Sequence, residues 1–211
     1  MRNFVIAAAS VAFLASGATA IAAGFGVTLG VTAAYGPRRL GQVIMRAADV
    51  LLSFPPILLA LIAVGFWTSG IASLTAVIGV IYIPHFIRIA HASTLQVARQ
   101  EFLLAEEVMG ARTSRIVRTA ILPNILSPLV VQATLTIAAA ILMESGLSFL
   151  GLGIVPPDPS WGQMIGVARG YMTQNPMYVV WPSLCLALTI LAINVIGDNL
   201  RDFLDPRLRQ R

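Results

Sequence analysis

The sequence predicts an all-α fold, a polytopic membrane helical bundle of about five transmembrane helices. Three observations carry that prediction. Of the 211 residues, 57% are hydrophobic and only 11% are charged, with a mean hydropathy of +0.84; a water-soluble domain carries about a quarter charged residues. Uncharged runs cover residues 3–37, 50–87, 119–143 and 170–197, each long enough for the ~20 apolar residues that cross hydrocarbon. The basic residues, all arginine, fall between those runs in short clusters. A net charge of +5 dispersed this way argues against a nucleic-acid partner and for membrane lipid.

The first span is placed over roughly 10–34, where Gly26 and Gly30 form a small-xxx-small pair suited to close helix packing. Arg2, an apolar core and Ala18-Thr19-Ala20 also resemble a cleavable leader, but the apolar character continues to Tyr35, which favours a retained span. The run 50–87 holds two helices if it is broken, and Gly65, Trp67, Thr68, Ser69 and Gly70 supply a turn, so a tight helical hairpin is expected. The fourth span covers 119–143, with Pro123 and Pro128 near its start, and the fifth 170–197. Cys185, the single cysteine, lies inside the fifth and has no partner for an intramolecular disulfide.

Arginine counts orient the bundle. Arg38, Arg39 and Arg46 follow the first span, Arg88, Arg99, Arg112, Arg115 and Arg118 the third, and Arg201, Arg207, Arg209 and Arg211 the last. Only Arg2 and Arg169 fall on the other side, a division of 12 to 2 that makes the three segments and the carboxyl terminus cytoplasmic and places Met1 outside.

The segment from Gln100 to Asn124 reads as two short helices around Gly110, where a left-handed residue ends the first and Thr113 or Ser114 caps the second. Arg112, Arg115 and Arg118 share one side, while Ile116, Ala120 and Ile121 form an apolar patch that must be buried. Either a docking surface or a loop that merely enforces topology fits this periodicity. Beyond the fourth span, Pro156, Pro157 and Pro159 forbid a continuous helix, and Ser160 can cap a short one whose Gly162, Gly166 and Gly170 allow close approach of another backbone.

Ala105, Gly110, Ile116 and Ile121-Leu122-Pro123-Asn124 resemble the loop signature of ABC-importer permeases, with Leu104 where a glutamate often opens the motif and Glu106 where a second alanine is usual. Leu147-Ser148-Phe149-Leu150-Gly151-Leu152-Gly153, then Pro156-Pro157 and Ser160-Trp161-Gly162, resemble more narrowly the second permease subunit type of the dipeptide, oligopeptide and nickel branch. The agreement runs from about Ser10 to Arg209 and includes Arg46, Asp49, Phe54-Pro55, Gly197-Asp198, Asp202 and Asp205-Pro206. Members usually carry one further span and a leader before the matching part.

The resemblance implies the type I ABC-importer permease fold, with a permease domain over 8–200, a coupling loop over 93–124, an extracytoplasmic loop over 147–176 and a cytoplasmic tail over 201–211. It implies ATPase coupling through Ala105, Glu106, Gly110, Arg112, Arg115, Ile116, Leu122 and Pro123. It further implies a homologous permease, two ATPase subunits that hold ATP and magnesium, an extracytoplasmic solute-binding protein and a bacterial or archaeal inner membrane. The expected cargo is di- and oligopeptides; nickel or another small solute is the alternative.

The residues themselves exclude several chemistries. A chain without lysine has no phosphate loop, so any energy source resides on another polypeptide. His85 and His91 are six apart, off the i, i+4 spacing of helical metal ligands. No nucleophile and base pair suggests an enzyme. Glu144, at the end of an apolar run, and Asn194, within one, are the candidates for a translocation path; an interfacial position for the former and an interhelical hydrogen bond for the latter are the alternatives.

Overall fold

A computed structural model describes the backbone of residues 2–66 and 70–204 and side chains over 3–66 and 70–201. The described residues are helical almost throughout. In order they form α1 (Arg2–Tyr35), α2 (Arg38–Leu52), α3 (Pro56–Phe66), α4 (Ile71–Ala98), α5 (Glu101–Val108), α6 (Thr113–Ile116), a π-turn (Val117–Ile121), α7 (Leu122–Phe149), α8 (Trp161–Ala168), a 3-10 turn (Arg169–Tyr171) and α9 (Met177–Leu204). Four stretches are long and apolar enough to cross a membrane: Asn3–Tyr35, Ile71–Ala98, Thr113–Phe149 and Met177–Arg201. The pair α2 and α3 is also apolar enough when taken together, but is bent by 89° at the break between them.

α1 and α4 form the centre of the bundle and run in the same direction. Gly17 meets Thr75, Gly26 meets Phe86, and Gly30 meets Ala90. A Cβ on Gly26 would lie 2.4 Å from that of Phe86, and one on Gly30 2.6 Å from the Ile87 carbonyl, so the pair expected to mediate close packing does so. Parallel neighbours require the chain to cross back between them. The return arm is where the structure departs from the expected hairpin: it starts at Arg38, not near residue 50, and breaks at Ser53–Pro55. Pro55 and Pro56 lack the N–H groups a continuing helix needs, and each restricts the residue before it. Trp67, Thr68 and Ser69, assigned to the turn, lie outside the described residues, and Gly65 is helical.

The fourth span also begins and ends beyond its expected bounds. The helix runs from Thr113 to Phe149, interrupted only by the π-turn. Proline explains the turn: Pro123 has no N–H for the Thr119 carbonyl, so the ladder slips by one and Leu122 N–H bonds to the Val117 carbonyl, five residues back. α9 starts at Met177, later than the expected 170, and buries little of its surface on its own chain. Gly197 sets its approach to α7, for a Cβ there would meet the Thr134 hydroxyl at 2.5 Å. Residues 205–211, which carry Asp205-Pro206 and Arg207, Arg209 and Arg211, lie outside the described residues.

Candidate functional site

α5 leaves the end of α4 after Arg99 and Gln100 and stops at Gly110, whose φ of +79° is the left-handed conformation that a Cβ disfavours. The chain then turns into α6. Arg112 is the N-cap, in extended conformation and with no side-chain cap bond, so neither Thr113 nor Ser114 caps this helix; both are already inside its first turn. The elbow is seated by Leu103, Ile116, Ala120 and Ile121, all buried among the ends of the long helices. That is the apolar patch expected from the sequence.

The outward side is different in kind. Leu104 is 49% exposed, Val108 89% and Met109 78%. Beside this apolar tip lies a concavity of about 730 Å³ lined by Glu106, Gly110, Arg112, Arg115 and Arg118. The three arginines and Ala105 are exposed, and Oε2 of Glu106 has no hydrogen-bond partner among the described residues. Leu122 is half-buried and Pro123 exposed where the π-turn passes into α7. Of the coupling residues expected from the sequence, Glu106, Gly110, Arg112 and Arg115 therefore share one surface, while Ile116 holds the elbow from beneath. One contact escaped the sequence reading: the Tyr35 hydroxyl at the end of α1 donates to the Glu107 carboxylate, tying the first span to α5 across 72 residues.

Glu144 occupies a second polar site at the opposite end of α7. It is 0% exposed, so it does not line an open path here. Its Oε1 accepts hydrogen bonds from Ser148 Oγ at 2.6 Å and Ser160 Oγ at 2.7 Å, and its Oε2 from Ser145 Oγ at 3.3 Å. Ser148 Oγ in turn accepts from Ile154 N–H at 3.0 Å. Ser160 is the N-cap of α8 by position, but its hydroxyl reaches Glu144 rather than its own helix. The carboxyl group thus pins α8 and the loop before it onto α7. Glycine permits the contact: a Cβ on Gly162 would sit 2.1 Å from the Ser145 carbonyl and one on Gly166 2.9 Å from that of Phe149. Gly170, expected on the same face, meets nothing within 4 Å. Ser148, four residues on along α7, was open to helical periodicity, whereas Ser160, sixteen residues on and in another element, was not.

Asn194, the other path candidate, is half-buried on α9 and makes no side-chain hydrogen bond among the described residues. His85 and His91 lie on α4, and no group of three or more potential metal ligands occurs among the described residues.

The chain belongs to the family described as the binding-protein-dependent transport system inner membrane component, which matches residues 26–210. It is 39% identical over 184 residues to the di/tripeptide transport system permease protein DppC of Pseudomonas aeruginosa, covering 87% of this chain and 61% of the relative. It is likewise 39% identical over 198 residues to the glutathione transport system permease protein GsiD of Pectobacterium atrosepticum, covering 93% and 66%. The chain thus spans less than two thirds of the length of either relative. Among solved structures, an inward-facing MetNI methionine ABC transporter chain superposes with a TM-score of 0.82 at 20% identity, with 97% of both chains covered, which establishes the type I permease fold.

Proposed function

We propose that this chain is the membrane-spanning permease subunit of an importer that carries di- and oligopeptides inward, driven by ATPase subunits that dock on the elbow between α4 and α7. The observation that carries this reading is the elbow's exposed tip. Val108 and Met109 stand in the open beside three arginines without carboxylate partners within ion-pair reach among the described residues. Burying a side chain of that size contributes about 1.5–3 kcal/mol, so the two supply an apolar centre for a larger interface that the three arginines extend.

In this reading ATP and magnesium are bound by the ATPase pair, and a homologous permease completes the path across the membrane. An extracytoplasmic binding protein delivers the peptide to the side of α8. Movement of the ATPases pushes on α5 and α6 and is passed into α7, biasing the bundle between inward-open and outward-open states. The arginine distribution supports a cytoplasmic elbow and carboxyl terminus. The peptide cargo is supported by the two permease relatives, one named for di- and tripeptides and the other for glutathione, itself a tripeptide.

Uptake of a labelled dipeptide into cells or proteoliposomes carrying the full transporter tests the proposal. Gly110→Pro, and separately Arg115→Glu with Arg118→Glu, should abolish uptake and co-purification of the ATPase while the chain still inserts in the membrane. Unchanged uptake in both would refute the coupling role.

A further inference from the structure

α2 is a three-faced helix. One face, Gly41 and Ala48 with the half-buried Ile44, Met45 and Leu52, packs on α1 and α4. A second carries Arg38, Arg39, Gln42, Arg46 and Asp49. The third is apolar and uncovered: Leu40 is 45% exposed, Val43 66%, Val50 60% and Leu51 43%, and Phe54 just beyond is 52% exposed. At about 100° per residue the four on the helix fall within an arc of about 100°. An apolar stripe beside a basic one is the pattern of a helix lying at a membrane surface. The 89° bend against α3 fits it, since α2 and α3 cannot both follow the bundle axis.

Where the basic stripe meets the ends of α1 and α4 there is a groove of about 1100 Å³, lined by Arg38, Arg39, Arg46 and Asp49 together with His91 and Leu95. Asp49 does not neutralise it, because its carboxylate pairs with Arg88 at 3.1 Å, and none of the three groove arginines has an ion-pair partner among the described residues. The groove opens at the same end of the bundle as the elbow, the arginine-rich end. Three unpaired guanidinium groups, an imidazole and an adjoining apolar stripe match one class of ligand, a phosphodiester attached to acyl chains.

We propose that α2 is an interfacial anchor whose groove seats the headgroup of an anionic phospholipid from the leaflet on the elbow's side, with Arg38, Arg39 and Arg46 on the phosphate and Leu40, Val43 and Val50 against the acyl chains. The inference needs only that the chain spans a bilayer and is independent of what the protein carries.

Native mass spectrometry of the full chain, delipidated in mild detergent and titrated with phosphatidylglycerol or phosphatidylcholine, tests it. Phosphatidylglycerol should bind in preference. Each basic residue at an anionic surface is worth about fivefold in binding, so Arg38→Gln, Arg39→Gln and Arg46→Gln together should weaken it on the order of a hundredfold. Arg169→Gln, at the other end of the bundle, should leave it unchanged. Equal binding of the two lipids, an unaffected triple variant, or the same loss in Arg169→Gln would overturn the proposal. So would complete displacement by millimolar inorganic phosphate, which would make the groove a free-anion site. Should the triple variant fail to fold, a photo-crosslinking residue at Val43 in intact membranes decides: a phospholipid adduct is expected, and an adduct with a second permease chain overturns the assignment.

Discussion

Replacing Glu144 with alanine would loosen the end of the bundle that carries α8, and the structure sets the size of the effect. The substitution removes the acceptor from three buried hydroxyls, two of them at 2.6 and 2.7 Å and one at 3.3 Å. Hydrogen bonds between membrane helices average about 0.6 kcal/mol and reach about 1.7. The two short bonds lie somewhat above that average and the long one near it. With the small cavity left by the shortened side chain, the expected loss is about 2–4 kcal/mol. The loss is local, since it frees α8 and the loop before it while the packing of α1 on α4 is untouched. Proteolysis within residues 150–159 reads it directly, because cleavage tracks the population of the opened segment. A loss of 2–4 kcal/mol corresponds to cleavage faster by about 30-fold to several hundredfold. Glu144→Gln, which keeps one acceptor oxygen for Ser148 and Ser160, should fall between. Combining Glu144→Ala with Ser160→Ala should cost less than the two separately, with a coupling of about 1 kcal/mol. Cleavage of the alanine variant within twofold of wild type would refute the claim that this carboxyl group holds α8.

Other substitutions probe the remaining contacts. Gly162→Val forces a Cβ to within 2.1 Å of the Ser145 backbone and should dislodge α8 by more than Glu144→Ala does, whereas Gly170→Ala, with nothing within 4 Å, should leave thermal stability within about 0.5 kcal/mol. Gly26→Leu drives a side chain into Phe86 and the Ile83 carbonyl and should cost more than about 2 kcal/mol in detergent unfolding; retention of wild-type stability would mean that α1 and α4 separate at little cost. Arg88→Ala should change stability by less than about 1 kcal/mol, because both partners of its pair with Asp49 are about half exposed, 59% and 48%. A larger effect would show that the pair is shielded from water in the assembled protein.

What the sequence determined by itself is what lipid demands of any chain. Hydrocarbon leaves no water for unpaired backbone groups, so long uncharged runs must be helices, and their positions were legible from composition alone. The left-handed Gly110 and the buried Ile116, Ala120 and Ile121 were legible for a related reason: local conformation and periodicity are written in neighbouring residues. Tertiary structure decided what depends on residues far apart in the chain. The arm beginning at Arg38 was hidden because its charges resembled a loop, and only packing of Gly41 on Ala33 and Ala48 in the core showed it to be a helix. Ser160 looked like a helix cap by position; the carboxyl group of Glu144, sixteen residues away, takes the same hydroxyl, because a buried carboxyl group left without donors costs more than the single cap bond it displaces.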